Sequence, residues 1–260
     1  FPVPAVDFTG LMATLSQIKS NAQSSGLYFP NSGAQGYEVV LKSNDTLDVY
    51  KVQSLVPKPG GCSNQVADKD WEIWSVQATT TVGIYPIPAN GLVFFEDHVW
   101  VSGQVNTARV TIASARFPQN PSTETSITVN NDLLYTNYDG QDAIGLIAQN
   151  DFNVGLYSKD NLRIDGAIIA ADERVGRHYY RAPSGQQQYC GLEAMRNKIT
   201  LYGMLVTNQR YGFSWTCSGV YCSGYNIRDI LYDPNLAFNP PPGFPLTSSQ
   251  YEVISWEEVK

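Results

Sequence analysis

From about residue 91, apolar and polar positions alternate over short runs: LVFF, HVWVSGQV, ARVTIASA, TSITVNN, AIGLIAQND, FNVGLYS, NLRIDGAIIAAD and NKITLYGMLVTN. A period of two over a few residues, rich in Val and Ile and broken by Gly, Asn or Asp, predicts β-strands. Several runs share a cadence in which two spaced apolar residues precede a glycine. Val99 and Val101 precede Gly103, Leu162 and Ile164 precede Gly166, and Ile199 and Leu201 precede Gly203. Glycine lets a chain turn a corner without a Cβ clash, so the repetition predicts a mainly β solenoid, a right-handed parallel β-helix. The alternative is an antiparallel β-sandwich, but only Asp139-Gly140 and Asp165-Gly166 offer its tight-turn dipeptides. In NLRIDGAIIAAD this reading turns Leu162, Ile164, Ile168 and Ala170 inward and leaves Arg163 and Asp165 on a solvated outer wall.

The first segment has a different period. Phe8, Leu11, Leu15, Ile18 and Ala22 recur at steps of three and four, with Asp7 as N-cap and Gly26 as a stop, which predicts an amphipathic helix. GYEVVLKSNDTLDVYKV holds two β runs around turn residues 43–46 and predicts a hairpin. Helix, hairpin and the Pro/Gly-rich loop through Cys62 form an amino-terminal cap over residues 1–70. A β body begins with WEIWSVQ and fills 71–233. Residues 234–260 hold a surface linker, NPPPGFP, and a closing strand, YEVISW.

Composition adds a frame. The 260 residues, 43% hydrophobic and 16% charged, suffice for a core in one large or two modest domains. A net charge of -7 with scattered Lys and Arg argues against nucleic acid and anionic membrane surfaces, and no apolar run approaches the ~20 residues of a membrane span. The start, FPVPAVDF, has no signal-peptide pattern and reads as processed or trimmed. Cys217 and Cys222 bracket a short Gly-containing loop that a local disulfide closes, leaving Cys62 and Cys190 as the other pair. Other connectivities, free thiols and a zinc site remain open alternatives. An even cysteine count favours an oxidising, extracellular or cell-surface location.

The runs DAIGLIAQNDFNV, LRIDGAIIAAD and ITLYGMLV, with the tail PPGFPLTSSQYEVISWEE, resemble the ectodomains of bacterial PilX-like proteins of type IV pilus loci. The resemblance covers roughly residues 90–260 and rests on cadence. It implies an extracellular β-helix-like domain with a structural or adhesive role and pilin-like subunits as partners, and it carries no catalytic motif. The departure is at the start, where the family's hydrophobic pilin helix is missing from the sequence.

No GxSxG elbow or Gly-rich phosphate loop occurs, and no cofactor is expected. His98 reads as a structural histidine. NNDLLYTNYDGQD supplies the oxygen donors Asn131, Asp132, Asn137, Asp139 and Asp142 without an EF-hand's spacing. The enzyme alternative is a polysaccharide-cleaving β-helix using Asp165, Asp172, Glu173, Arg174 and Arg177 on its outer face, against the plainer fact that outward positions of any exposed sheet are polar. Tyr179, Tyr180 and Arg181, on the insert VGRHYYRAPSGQQQYC, form the candidate binding surface, because Tyr and Arg bury area and still bond to polar partners. The competing reading packs those tyrosines on the coil beneath a loop tied down by Cys190. The expected function is a non-catalytic surface module that binds pilin-like subunits or a surface glycan.

Overall fold

The computed structural model describes residues 8–62 and 74–245. The chain is mainly β, 46% strand and 11% helix, with a large parallel sheet and one amino-terminal helix. Helix α1 (Phe8–Ser25) leads into β1 (Leu27–Phe29), β2 (Gly36–Leu41), β3 (Thr46–Leu55) and β4 (Val76–Pro86). Then follow β5 (Leu92–Phe95), β6 (Val99–Val105), β7 (Arg109–Ser114), β8 (Ile127–Thr128), β9 (Leu133–Tyr135) and β10 (Ala143–Ala148). The series ends with β11 (Phe152–Asn153), β12 (Asn161–Ala170), β13 (Val175–Gly176), β14 (Met195–Thr207), β15 (Ser214–Cys217) and β16 (Val220–Tyr232). Asp7, the first residues of WEIWSVQ and the YEVISW run lie outside the described residues.

Three parallel ladders organise the body. The first runs β1, β5, β7, β10, then the second halves of β12 and β14. A short one joins the start of β6 to β8, β11 and β13. The third, and broadest, runs β2, β6, β9, the first half of β12, the first half of β14 and β16. Successive strands visit the ladders in turn, as β7, β8 and β9 do, and this is consistent with a β-solenoid. The parallel pairing decides against the sandwich. Among the described residues, strands pair antiparallel only where β3 joins β2 and β4 and where β15 meets β16, apart from one isolated bridge between Ser184 and Gln187.

Like residues stack because each passage repeats the apolar alternation. Leu162 lies over Ile199, Ile164 over Leu201 and Leu146 over Ile168. All are almost fully buried in one core enclosed by the ladders. Each such side chain contributes about 1.5–3 kcal/mol by leaving water. β12 and β14 each serve two ladders, and each bends between them at its glycine. Gly166 pairs with Gly203, and a Cβ on Gly203 would stand 1.9 Å from the Gly166 carbonyl oxygen. The cadence glycine is a corner, as its spacing predicts.

Two expectations about the ends change. The predicted helix forms, but it does not cap the stack. Leu11, Leu15, Ile18 and Ala22 pack with Phe94, Ala113, Ile147 and Ile169 on the outer side of the first ladder. Those strand positions face outward yet are apolar, so they need a cover. The prolyl segment is no free linker, because Leu236 and Phe244 join the same cluster while Arg109 and Thr111 donate to the carbonyls of Pro240 and Pro242. The hairpin alone extends an end, adding β3 and β4 beside β2 on the third ladder.

Candidate functional site

The outer wall of the third ladder carries the polar chemistry. In β2 the residues Tyr37, Val39 and Leu41 turn inward, which leaves Glu38 outside, and in β6 the same alternation puts Trp100 and Ser102 outside opposite Val99 and Val101. Register places Glu38 beside Trp100. With Asn131 and the turn bearing Tyr157 and Lys159 they line a cleft of about 590 Å³. Its floor is held from behind: Trp100 Nε1 donates to the Trp74 carbonyl at 3.1 Å, and the Trp74 ring meets His98 edge-on at 5.4 Å. Asn130 is fixed by donating to that same carbonyl and accepting from Gly155 N at 2.7 Å. Burial raises the Glu38 pKa above the ordinary carboxyl value.

Further along the wall, Asp132 links the cleft to a second cluster. It binds Lys159 Nζ at 2.6 Å and accepts from Arg163 N at 3.1 Å. Arg163 lies over the rings of Tyr138 and Tyr202, 5.2 and 6.0 Å from their centroids. Beneath it is Asp165, and here the expected solvated wall is wrong. Asp165 is fully buried, accepting from Tyr135 N at 3.0 Å, Tyr138 Oη at 2.7 Å and Arg163 Nε at 2.8 Å. The residues after β9 fold Tyr138 across it, so an outward strand position ends up roofed. Burial, then the hydrogen bond to Asp165, pushes the Tyr138 phenol up to about 12. Tyr202 donates to Asp233, a second buried carboxylate, at 3.1 Å.

The other candidate catalytic groups are dispersed. Asp172 sits at a corner of the stack against Glu124, a residue the sequence reading missed, and burial followed by the Asp172 charge holds Glu124 at about 7. A retaining glycosidase needs its carboxyl groups ~5 Å apart and an inverting one further still. Glu124 and Asp172 share a hydrogen bond, so no sugar ring fits between them. Glu173 lies beside this pair, its charge adding to the upward shift of Glu124. Arg174 stands 2.8 Å from His178 Nδ1. Arg177 is entirely buried, donating to the carbonyls of Gly155, Leu156 and Glu193 and to Ser158 Oγ at 2.9 Å.

The proposed contact surface is also split. Tyr180 is fully buried against Leu156, Ala194 and the Cys62 and Cys190 sulfurs, with the Arg177 guanidinium 4.9 Å from its ring centroid, so it cannot touch a partner. Tyr179 is half-buried and edge-on to Trp215, while Arg181 stacks on Tyr189 at 3.7 Å. Both disulfides form as the spacing suggested, Cys62–Cys190 and Cys217–Cys222. The former ties the loop beyond the hairpin to the insert, which is what buries Tyr180.

His98 is structural: half-buried, with its pKa lowered to about 4 chiefly by desolvation, it accepts from Ser126 N at 3.0 Å. Asp142 is a turn builder, accepting from Ala108 N, Thr136 N and Asn137 N. Asp139 is engaged with Gln141. Among the described residues no group of three His, Cys, Asp or Glu side chains could hold a metal ion, and no helix is long and apolar enough to cross a membrane. No family model, curated protein or solved structure matches the chain.

Proposed function

We propose that the chain is a non-catalytic extracellular module, structural or adhesive, built as a right-handed parallel β-helix and serving as a minor component of a type IV pilus-like surface system. One observation carries this reading: the charged groups proposed for catalysis are engaged in holding the stack together, as Asp165 is by three donors and Arg177 by four acceptors. What remains accessible is a cleft with fixed walls. A recognition surface needs such rigidity, whereas a polysaccharide-cleaving site needs two separated carboxyl groups that reach substrate. Two disulfides suit an oxidising compartment and brace the loops against it.

The test is a pull-down of pilin-like subunits with the disulfide-bonded chain, run beside a cleavage assay on neutral and acidic polysaccharides. Retention of subunits or cells without any release of reducing ends or unsaturated sugars is the expected result. Cleavage that Asp165→Ala and Asp172→Ala abolish would replace this reading with the enzymatic one.

A further inference from the structure

The cleft beside Trp100 has a lining whose hydrogen-bonding character is mixed. Glu38 only accepts, Lys159 only donates, and Ser102 and Asn131 do both. Two facts narrow what can sit there. Lys159 is already neutralised by Asp132 at 2.6 Å, and Glu38, half-buried, makes no hydrogen bond or ion pair with the described residues. An anionic ligand would meet an uncompensated carboxylate without finding a free cation. A cationic ligand would satisfy Glu38 and leave the donors of the wall unused. The chemistry that donates and accepts at every oxygen, carries no charge and presents C–H faces to aromatic rings is a polyol ring.

The aromatic component is present. Tyr157 is 39% exposed at the edge of the cleft, and the Trp100 ring, tethered through Trp74, backs its floor. The volume, about 590 Å³, lies within the range of small-ligand clefts, roughly 300–1,000 Å³. The wall is prepared in advance. Ser158 is held by Arg177 and Tyr225, each at 2.9 Å, so the turn bearing Tyr157 and Lys159 is fastened to the interior. Little ordering is left to be done on binding, which preserves affinity.

We propose that this cleft seats an uncharged hexose unit of a surface glycan, with Tyr157 stacking on the ring and Glu38, Ser102 and Asn131 taking its hydroxyls. The assignment rests on the adhesive reading above and names the ligand of that surface. Glu38 supplies the acceptor that distinguishes a polyol from an apolar guest, and Tyr157 supplies most of the contact area.

The experiment is an array of neutral glucans, mannans and galactans beside uronate polymers, sialylated glycans and a lysine-rich peptide, probed with the full disulfide-bonded chain. At least one neutral polymer should retain the wild type. Tyr157→Ala should weaken that retention at least tenfold, and Glu38→Gln several-fold, with the thermal midpoint of each within about 2 °C of wild type, since both side chains face the cleft. Preference for the anionic polymers or the peptide, absence of neutral-glycan retention, or retention that both variants keep would overturn the assignment. The two failures separate cleanly. If pilin-like subunits or cells capture wild type and variants equally, adhesion stands and the cleft assignment falls; if nothing captures the wild type, both fall.

Discussion

Replacing Asp165 with alanine asks whether this carboxylate is structural or reactive, and the structure supplies the magnitude. Its three donors recover unequally when it is lost. The Arg163 and Tyr138 side chains are 41% and 45% exposed, so water takes over much of what Asp165 gave them. Tyr135 N lies in the interior and is left without an acceptor, and a buried donor stranded in this way costs about 1–3 kcal/mol. The remnant of the Arg163 pairing, discounted for solvent screening, adds at most about 1 kcal/mol. The sum is about 3 kcal/mol. An unfolding entropy of ~2.1 cal/mol/K per residue gives a chain of 260 residues ~0.5 kcal/mol/K, so the midpoint should fall by about 5–6 °C. Circular dichroism melts at neutral pH measure this directly. Asp165→Asn keeps an acceptor for Tyr135 N and should recover roughly half of the loss. A midpoint within about 1 °C of wild type in Asp165→Ala would refute the reasoning, as would loss of a polysaccharide-cleaving activity at unchanged stability.

Three further outcomes are expected. Glu124 binds its proton more tightly in the folded chain, at about 7 against 4.5 when unfolded, so its contribution is fully favourable below pH 4.5 and is lost as pH rises through 7. Glu124→Gln should therefore raise the melting midpoint at pH 8 and leave it unchanged at pH 4, and the opposite ordering would contradict the assignment. Gly203→Ala should destabilise by more than about 4 kcal/mol, because the added carbon meets backbone, while Gly212→Ala, with open space around it, should melt within about 1 °C of wild type. Removing Cys62–Cys190 with paired serines frees a loop closed over 128 residues and should cost about 5 kcal/mol by chain entropy, read in urea titrations, far more than removing Cys217–Cys222.

Local signals in the sequence translated faithfully. The helical stripe, the hairpin around its turn residues, the cadence glycines and the close cysteine pair all depend on neighbours within a few positions, and all appear where expected. What failed depends on remote cover. Nothing near Asp165 announces that Tyr138 will fold over it, and nothing beside Tyr180 announces the Cys62 loop. The run AIIAA did contain a legible clue, since Ala167 and Ile169 are as apolar as the inward Ile168 and Ala170, and a strand apolar on both faces requires a second layer. That layer is α1. Glu124 had no comparable signal, because its environment is created by Asp172 from another passage of the chain.

The ladders also set an order of events. Partners such as Val93 and Ile112, or Leu162 and Ile199, stand only a few tens of residues apart, so each passage can add to the one before it at modest loop-closure cost. Assembly can therefore follow the direction of synthesis, starting from the hairpin. The two cysteine bridges differ in how long the first sulfur waits for the second. Cys217 finds its partner five positions away, whereas Cys62 must keep its thiol through 128 residues until the insert carrying Cys190 arrives. Through that interval the chain holds no second thiol, so Cys62 has no partner within the chain until Cys190 arrives. Its bond, once made, marks a chain whose earlier passages are already in place.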